Sequence, residues 1–302
     1  MDRFLLVSLN VDAILEGVTI AERRKKLEEM RRGNGLSDAY TGTLKRLRAQ
    51  AESKSRLGLK VLMWVLKSQR PLGVEELCHA LGVEIGSVDL DPKNVPTLRT
   101  LLSSCLGLVT VEASSSTVRL VHFTLHEHLS RESTLFHSPH STIAEVCLTY
   151  LNFGPVRKLS PTLCWAPSSL PLLEYASIYW GEHARRGMTE NVKMLALRLL
   201  DRFDEHISAK LLLLHRNKLE FFDGKERGPT GFTGLHGAAF LGITEIVVLM
   251  LDMNKWDINA ADFAASTALS WAAGNGHDGV VKILLERQDD NPDHICESYE
   301  RK

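Results

Sequence analysis

The 302 residues contain no glycine-rich phosphate loop of the form G-x-x-x-x-G-K-[ST]. Two Lys-Ser pairs, Lys54-Ser55 and Lys67-Ser68, follow Ser53 and Leu66, where such a loop needs glycine to bring backbone N–H groups around a phosphate. H-E-x-x-H is absent as well, which removes the helix-borne zinc hydrolase pattern. The nearest approach to a nucleophile elbow, Gly35-Leu36-Ser37-Asp38-Ala39, lacks its last glycine and the strand that should precede it. These absences argue against an independent enzyme.

Cysteine is scarce. The five positions (78, 105, 147, 164 and 296) are an odd number with no C-x-x-C spacing, which predicts free thiols in a reducing compartment. No N-x-S/T sequon occurs. An excess of either charge is missing too. Lys and Arg number 36 against 37 Asp and Glu, so a formal charge of −1 sets up no overall field for nucleic acid or an anionic membrane. No apolar run approaches the ~18 residues of a membrane span, and Phe4-Leu5-Leu6-Val7 is too short for a signal peptide. The expectation is a cytoplasmic protein of two or three domains, with no membrane and no nucleic-acid partner. No cofactor or metal is expected either. His122 and His126 stand at i,i+4, but no Cys or carboxylate pattern completes a four-ligand set.

What the chain does contain is a repeat. Thr233-Gly234-Leu235-His236, Ala238-Ala239, Gly242, Ile246-Val247 and Leu251 recur 34 residues later as Thr267-Ala268-Leu269-Ser270, Ala272-Ala273, Gly276, Val280-Val281 and Leu285. Thr233 and Thr267 are placed to N-cap a first helix. The paired alanines let that helix lie close to a neighbour, and Gly242 and Gly276 end it in the left-handed region. A second helix then carries too much apolar surface to stand alone. These residues resemble ankyrin repeats, whose unit is about 33 residues long with a T-P-L-H-x-A core. Gly234 and Ala268 stand where the pattern has proline. One extra residue within Asn254-Lys255-Trp256 lengthens the unit. Two units are legible where roughly three are needed for stability. Either the preceding helices cap the pair, or the array is truncated after Asn291-Pro292-Asp293.

Ahead of the repeats, Phe4, Val7, Val11, Ile14 and Leu15 follow a helical period, as if more protein normally preceded them. Thr19 and Glu22 form a capping box for a helix through Met30, and a further helix spans about 37–50 with Leu44 and Leu47. Residues 55–131 read as a winged helix. A helix with Leu57, Val61, Trp64 and Val65 on one face comes first, widened by Leu59, Leu62 and Leu66. A turn at Arg70-Pro71-Leu72-Gly73 leads to a helix from Val74 to Leu81. A third helix opens at Pro92 and Pro96 and ends near Leu106. The strands Leu108–Val111 and Thr117–Val121 then form a hairpin, and a final helix begins near Thr124. A DNA reader would line its third helix and wing with cations. This one offers Lys93, Arg99 and Arg119.

Residues 1–135 resemble the end of a NACHT-type signal-transduction ATPase, of the kind found in filamentous fungi with C-terminal ankyrin repeats. The matching stretches are Arg3-Phe4-Leu5-Leu6, Leu36-Ser37-Asp38-Ala39-Tyr40, Lys60-Val61-Leu62-Met63-Trp64, Arg70-Pro71-Leu72, Leu106-Gly107-Leu108-Val109 and Arg119-Leu120-Val121-His122-Phe123-Thr124. The Tyr175–Trp180 and Ile207–Leu214 segments are similar to that family too. The resemblance implies a winged helix that reports the state of a nucleotide domain, with His122 as a phosphate-sensing residue for a cofactor held elsewhere. Phe123 stands where the family has aspartate. The alternative is that His122 caps or packs at a strand–helix junction.

In the middle region, Ser141 is placed to cap a helix through Leu151. Residues 153–171 hold four of the ten prolines and predict a stiffened connection rather than a helix. An aromatic stripe from Leu172 to His183 predicts a core helix. Two more helices, 189–204 and 206–215, precede the polar linker Asp223–Pro229. The fold expected is mainly α: a helical segment (1–52), a winged helix with a small β-hairpin (53–135), an α-helical region (136–228) and a short ankyrin solenoid (229–302, units at about 231–263 and 265–293). The function expected is non-enzymatic protein–protein interaction by a truncated relative of a NACHT–ankyrin regulator. Partner contacts are expected at Phe240, Leu241, Lys255, Trp256, Trp271 and Asn275. The alternative is a part of a nucleotide-dependent switch that docks on a separate NACHT ATPase.

Overall fold

The computed structural model describes residues 11, 14, 18–32, 35–132, 135–163, 165–215 and 230–289. Most of the helix expected from Phe4 to Leu15, the Asp223–Pro229 linker, Cys164, Cys296 and the segment from Asn291 onward lie outside them. Two compact units emerge, Met1–Gly82 with Asp91–Pro139, and Val83–Leu90 with His140–Lys302. Among the described residues the fold is mainly α with one small sheet. No helix among them is long and apolar enough to cross a membrane.

In the first unit, α1 (Ile20–Arg32) begins at the capping box. The Glu22 N–H donates to Thr19 Oγ1 (3.1 Å), and the Thr19 N–H donates back to Glu22 Oε2 (3.3 Å). Helix α2 (Leu36–Ala49) buries Ala39, Tyr40, Thr43, Leu44 and Leu47, a stripe at helical spacing. It lies against α3 (Glu52–Lys67), whose Val61, Leu62, Met63, Trp64 and Leu66 are buried. α4 (Val74–Gly82) follows. A 3-10 turn at Pro92–Asn94 separates it from α5 (Leu98–Ser104), which Thr97 caps by accepting the Thr100 N–H. The third helix therefore starts later than Pro92 suggests.

The sheet has three strands rather than the expected two. β1 (Leu72–Gly73), β2 (Val109–Glu112) and β3 (Thr117–Leu120) lie in the order β1-β3-β2, all antiparallel. Leu72 pairs with Val118, and Val109 with Leu120. A two-residue strand is too short to display an alternating pattern, so it reads as a turn. Its position is held from outside. Arg70 grips Glu76 with two N–H groups (2.8 and 2.6 Å), and Glu76 Oε2 also accepts the Gly73 N–H (2.7 Å). α6 (Phe123–Arg131) closes the unit.

In the second unit, α7 (Pro139–Leu151) is buried along almost its whole length. Pro139 occupies its first turn, so Ser141 sits inside the helix instead of capping it. The strap Val83–Leu90 lies beside it: the Gly86 N–H donates to Thr149 Oγ1 (3.3 Å) and the Gly154 N–H to the Val88 carbonyl (3.0 Å). The proline-rich connection contains one short helix, α8 (Gly154–Arg157), because Pro155 falls at its first turn where a missing N–H costs nothing. α9 (Leu173–Arg186) buries the aromatic stripe, and Thr189 caps α10 (Glu190–Leu200). α11 (Ile207–His215) is buried from Ile207 to Leu213. Lys210 lies within that run and donates from Nζ to the Thr162 carbonyl (2.6 Å), tying the connection to the helix. The repeat region follows as two helical hairpins, α12 (Gly234–Leu241) with α13 (Thr244–Asp252) and α14 (Ala268–Gly274) with α15 (Asp278–Asp289). α12 packs on α14 and α13 on α15, so the two hairpins lie side by side.

Candidate functional site

The repeat stack is built from its first helices. At 233 and 267 the sequence places the same residue, yet the two threonines act differently. Thr267 Oγ1 accepts the Ser270 N–H (3.3 Å) and caps α14 as expected. Thr233 makes no such bond. Its hydroxyl lies 2.8 Å from His236 Nδ1, and His236 Nε2 lies 3.0 Å from the Ala260 carbonyl. A carbonyl only accepts, so Nε2 carries the proton and Nδ1 accepts from Thr233. Burial pulls the His236 imidazole below its ordinary range, against the opposing charge of Asp262. Ser270 has no ring to offer, which leaves Thr267 free to cap.

Gly242 ends α12 at φ +68°, a conformation that disfavours a side chain. A Cβ there would also stand 2.5 Å from the ring of His277, whose Nε2 lies 3.0 Å from the Phe240 carbonyl. His277 of the second unit thus closes the helix end of the first.

The six expected contact residues separate into two groups. Phe240, Leu241 and Trp271 are buried. Phe240 and Trp271 stand edge-on to each other at 5.4 Å, and both meet Phe232, at 6.1 and 5.5 Å. The Trp271 indole donates to Asp262 Oδ2 (2.7 Å), while Asp262 Oδ1 accepts the N–H groups of Ala264 and Ser266. Leu241 covers Gly181 of α9, where a Cβ would come within 3.0 Å of it. These three hold the stack together from inside. Lys255, Trp256 and Asn275 reach solvent. Lys255 pairs with Asp201 and lies 5.3 Å from the centre of the Trp256 ring. Asn275 Nδ2 donates to the Trp271 carbonyl (2.8 Å), so its amide is partly committed to the helix end. The extra residue of the lengthened tip is absorbed at Asn254, at φ +50°.

Asp262 and His277 went unforeseen in the sequence. The signal for Asp262 was an aspartate in the short segment between the two units, a residue that accepts backbone amides just ahead of it in an Asx turn.

His122, the residue that resembles a sensor, is the N-cap of α6. Its Nδ1 accepts the Thr124 N–H (3.4 Å) and lies 2.9 Å from Thr124 Oγ1, which is 2.8 Å from the Tyr40 hydroxyl. The ring lies 4.5 Å from that of Phe123. His122 therefore joins a chain of contacts linking α6 to α2.

Two further histidines are neutral by environment. Burial holds His183 near a pKa of about 3, with His140 and Arg186 adding to the effect; its ring contacts His140 Nδ1 and the Tyr175 hydroxyl, each at 2.9 Å. Burial also lowers His206 to about 4 against the bond that Nε2 donates to the Leu151 carbonyl (3.0 Å), while Nδ1 accepts the Ser208 N–H (3.1 Å), which requires the neutral ring. Cys78, Cys105 and Cys147 are free and buried, and burial raises each thiol, to about 11 for Cys78 and about 12 for Cys105. Among the described residues no three His, Cys, Asp or Glu side chains gather as a metal site.

Comparison with known families matches the same two regions. Residues 45–139 match the family described as GPI inositol-deacylase, winged helix domain. Residues 194–294 match ankyrin repeats, a model of three copies that begins inside α10, ahead of the first unit read from the sequence. No curated protein matches the chain. The chain therefore carries a winged-helix domain similar to that of GPI inositol-deacylase, followed by ankyrin repeats.

Proposed function

We propose that this chain is a non-enzymatic interaction and regulatory module, related to the NACHT–ankyrin signalling proteins and working in the cytoplasm, that binds a protein partner through its ankyrin surface. Ankyrin arrays bind through extended surfaces of this kind. The observation that carries the reading is the lengthened tip, where Trp256 is half-exposed beside an exposed Lys255. An aromatic ring reaching solvent is a side chain of the kind enriched at interfaces, while Lys255 is held beside it by Asp201. Phe240, Leu241 and Trp271, buried in the stack, hold the array that presents this surface, and Asn275 lies half-exposed at the end of α14. The working division is 1–52, 53–135, 136–228 and 229–302, with the third segment capping the repeats. Nucleic acid is not the partner proposed, since α5 carries a single cation, Arg99.

Co-purification of the full chain with candidate partners tests this. Binding lost in Trp256→Ala, with circular dichroism unchanged, supports the repeat surface. Binding that survives Trp256→Ala contradicts it. A second reading, in which the winged helix acts with a separate NACHT ATPase, rests on the resemblance of residues 1–135 to the end of such an ATPase, the match at 45–139 supporting the winged helix alone. It requires an ATPase partner whose association is lost in His122→Ala and kept in Trp256→Ala.

A further inference from the structure

Within the winged-helix unit, the end of α2, the first turns of α3 and residues 135–137 line an open cleft of about 550 Å³. Clefts of this size accommodate small molecules. Its buried walls are apolar, formed by Met63 and Leu135 with Phe136 half-buried beside them. Its exposed rim is cationic, with Arg48, Arg56 and Lys60 accompanied by His137. One carboxylate opposes those three permanent charges. Glu52 lies 3.9 Å from Arg56 with its side chain 91% exposed, and a pair so open to water neutralises little. The chain as a whole carries −1, so the excess of positive charge is a local arrangement and not a general basicity.

The backbone adds to the same field. α3 starts at this cavity after Ala51, whose methyl group accepts no N–H, so no side chain caps the opening of a 16-residue helix. Its opening residues Glu52, Ser55 and Arg56 line the cleft, so the positive end of the helix dipole lies at one edge of it. A bare inorganic anion would satisfy the rim and leave the Met63 and Leu135 walls uncovered. An uncharged apolar molecule would do the reverse.

We propose that this cavity binds an amphipathic anion, a small molecule with an apolar body and one anionic head group. The body lies on Met63, Leu135 and Phe136, and the head group meets Arg48, Arg56 and Lys60. Calorimetric titration of the full chain with octyl phosphate, below its micelle concentration, tests it. One saturable site per chain is expected, with affinity at least about tenfold above that for inorganic phosphate or for octanol. Affinity is expected to fall as salt rises. Arg48→Gln combined with Lys60→Gln is expected to weaken octyl phosphate at least about tenfold and to leave the thermal unfolding unchanged, because both side chains are exposed. No binding, equal binding of octanol or of inorganic phosphate, or undiminished binding by the double variant each overturns the proposal.

Discussion

Gly234 lies so close to Leu200 that a Cβ at position 234 would stand 2.1 Å from the Leu200 carbonyl oxygen. This explains why the first unit lacks the proline of the T-P-L-H pattern: any side chain there would strike the end of α10. Gly237, one turn on, meets the ring of Phe203 in the same way, with 2.6 Å left for a Cβ. The first repeat is fitted to the helices before it, whereas Ala268 in the second repeat is under no such constraint.

Gly234→Ala should therefore destabilise the stack by about 2–3 kcal/mol, since the obstacle is backbone and cannot rotate aside. Gly274→Ala is the control. It sits in α14 with nothing within 4 Å of a Cβ, and should stabilise by about 0.5–1 kcal/mol through the unfolded chain. Urea unfolding of both variants followed by circular dichroism checks the pair.

The second hairpin should open before the first. Leu251 of α13 is 8% exposed, while its counterpart Leu285 of α15 is 45% exposed. Less apolar surface is withdrawn from water in the outer unit, so its local opening costs less. Amide hydrogen exchange should be at least about tenfold faster in α14 and α15 than in α12 and α13. Equal protection through Leu285 would refute this.

Acid should weaken the second unit. His183, His206 and His236 all have folded-state pKa values below the ~6.5 of a free imidazole. Below ~6.5 the unfolded chain takes up protons that the folded chain refuses. Stability then falls as pH drops, until about 4 for His206 and about 3 for His183, by at most about 1.4 kcal/mol per pH unit per group. Above ~6.5 these residues add no pH dependence. Replacing His206 with Gln should make the urea midpoint fall less steeply between about pH 7 and about pH 5.

The described thiols should be inert in the folded protein. Cys78, Cys105 and Cys147 are buried with raised pKa values, so little thiolate forms near neutrality. Iodoacetamide followed by peptide mass spectrometry should modify none of the three in native protein and all three in urea. Labelling of Cys78 without denaturant would show that α4 opens readily.

The sequence made the repeat legible because a fixed period needs no knowledge of contacts. The Thr19–Glu22 box, the glycine ends of α12 and α14, and the buried stripes of α2, α3 and α9 were legible for a similar reason: each is set by residues within a turn or two. What escaped depends on pieces distant in the chain. β1 exists because Val118 and Thr117 stand ready to pair with two residues that carry no pattern of their own. Thr233 gives up its capping role because His236 has Ala260 as a second anchor. Phe240 and Trp271 read as partner contacts, yet Phe232 and Asp262 draw them inward. The cavity beside α3 was invisible because residues 135–137 supply one of its walls.

The strap Val83–Leu90 has a practical consequence for anyone dissecting this molecule. The polypeptide leaves one unit at Gly82, returns at Asp91 and departs again after Pro139. A single scission in front of His140 would sever the strap from Thr149 and Gly154, the residues it is bonded to. Fragments cut there would each carry an unmatched surface, so a severed half that aggregates reports on the cut and not on the native protein.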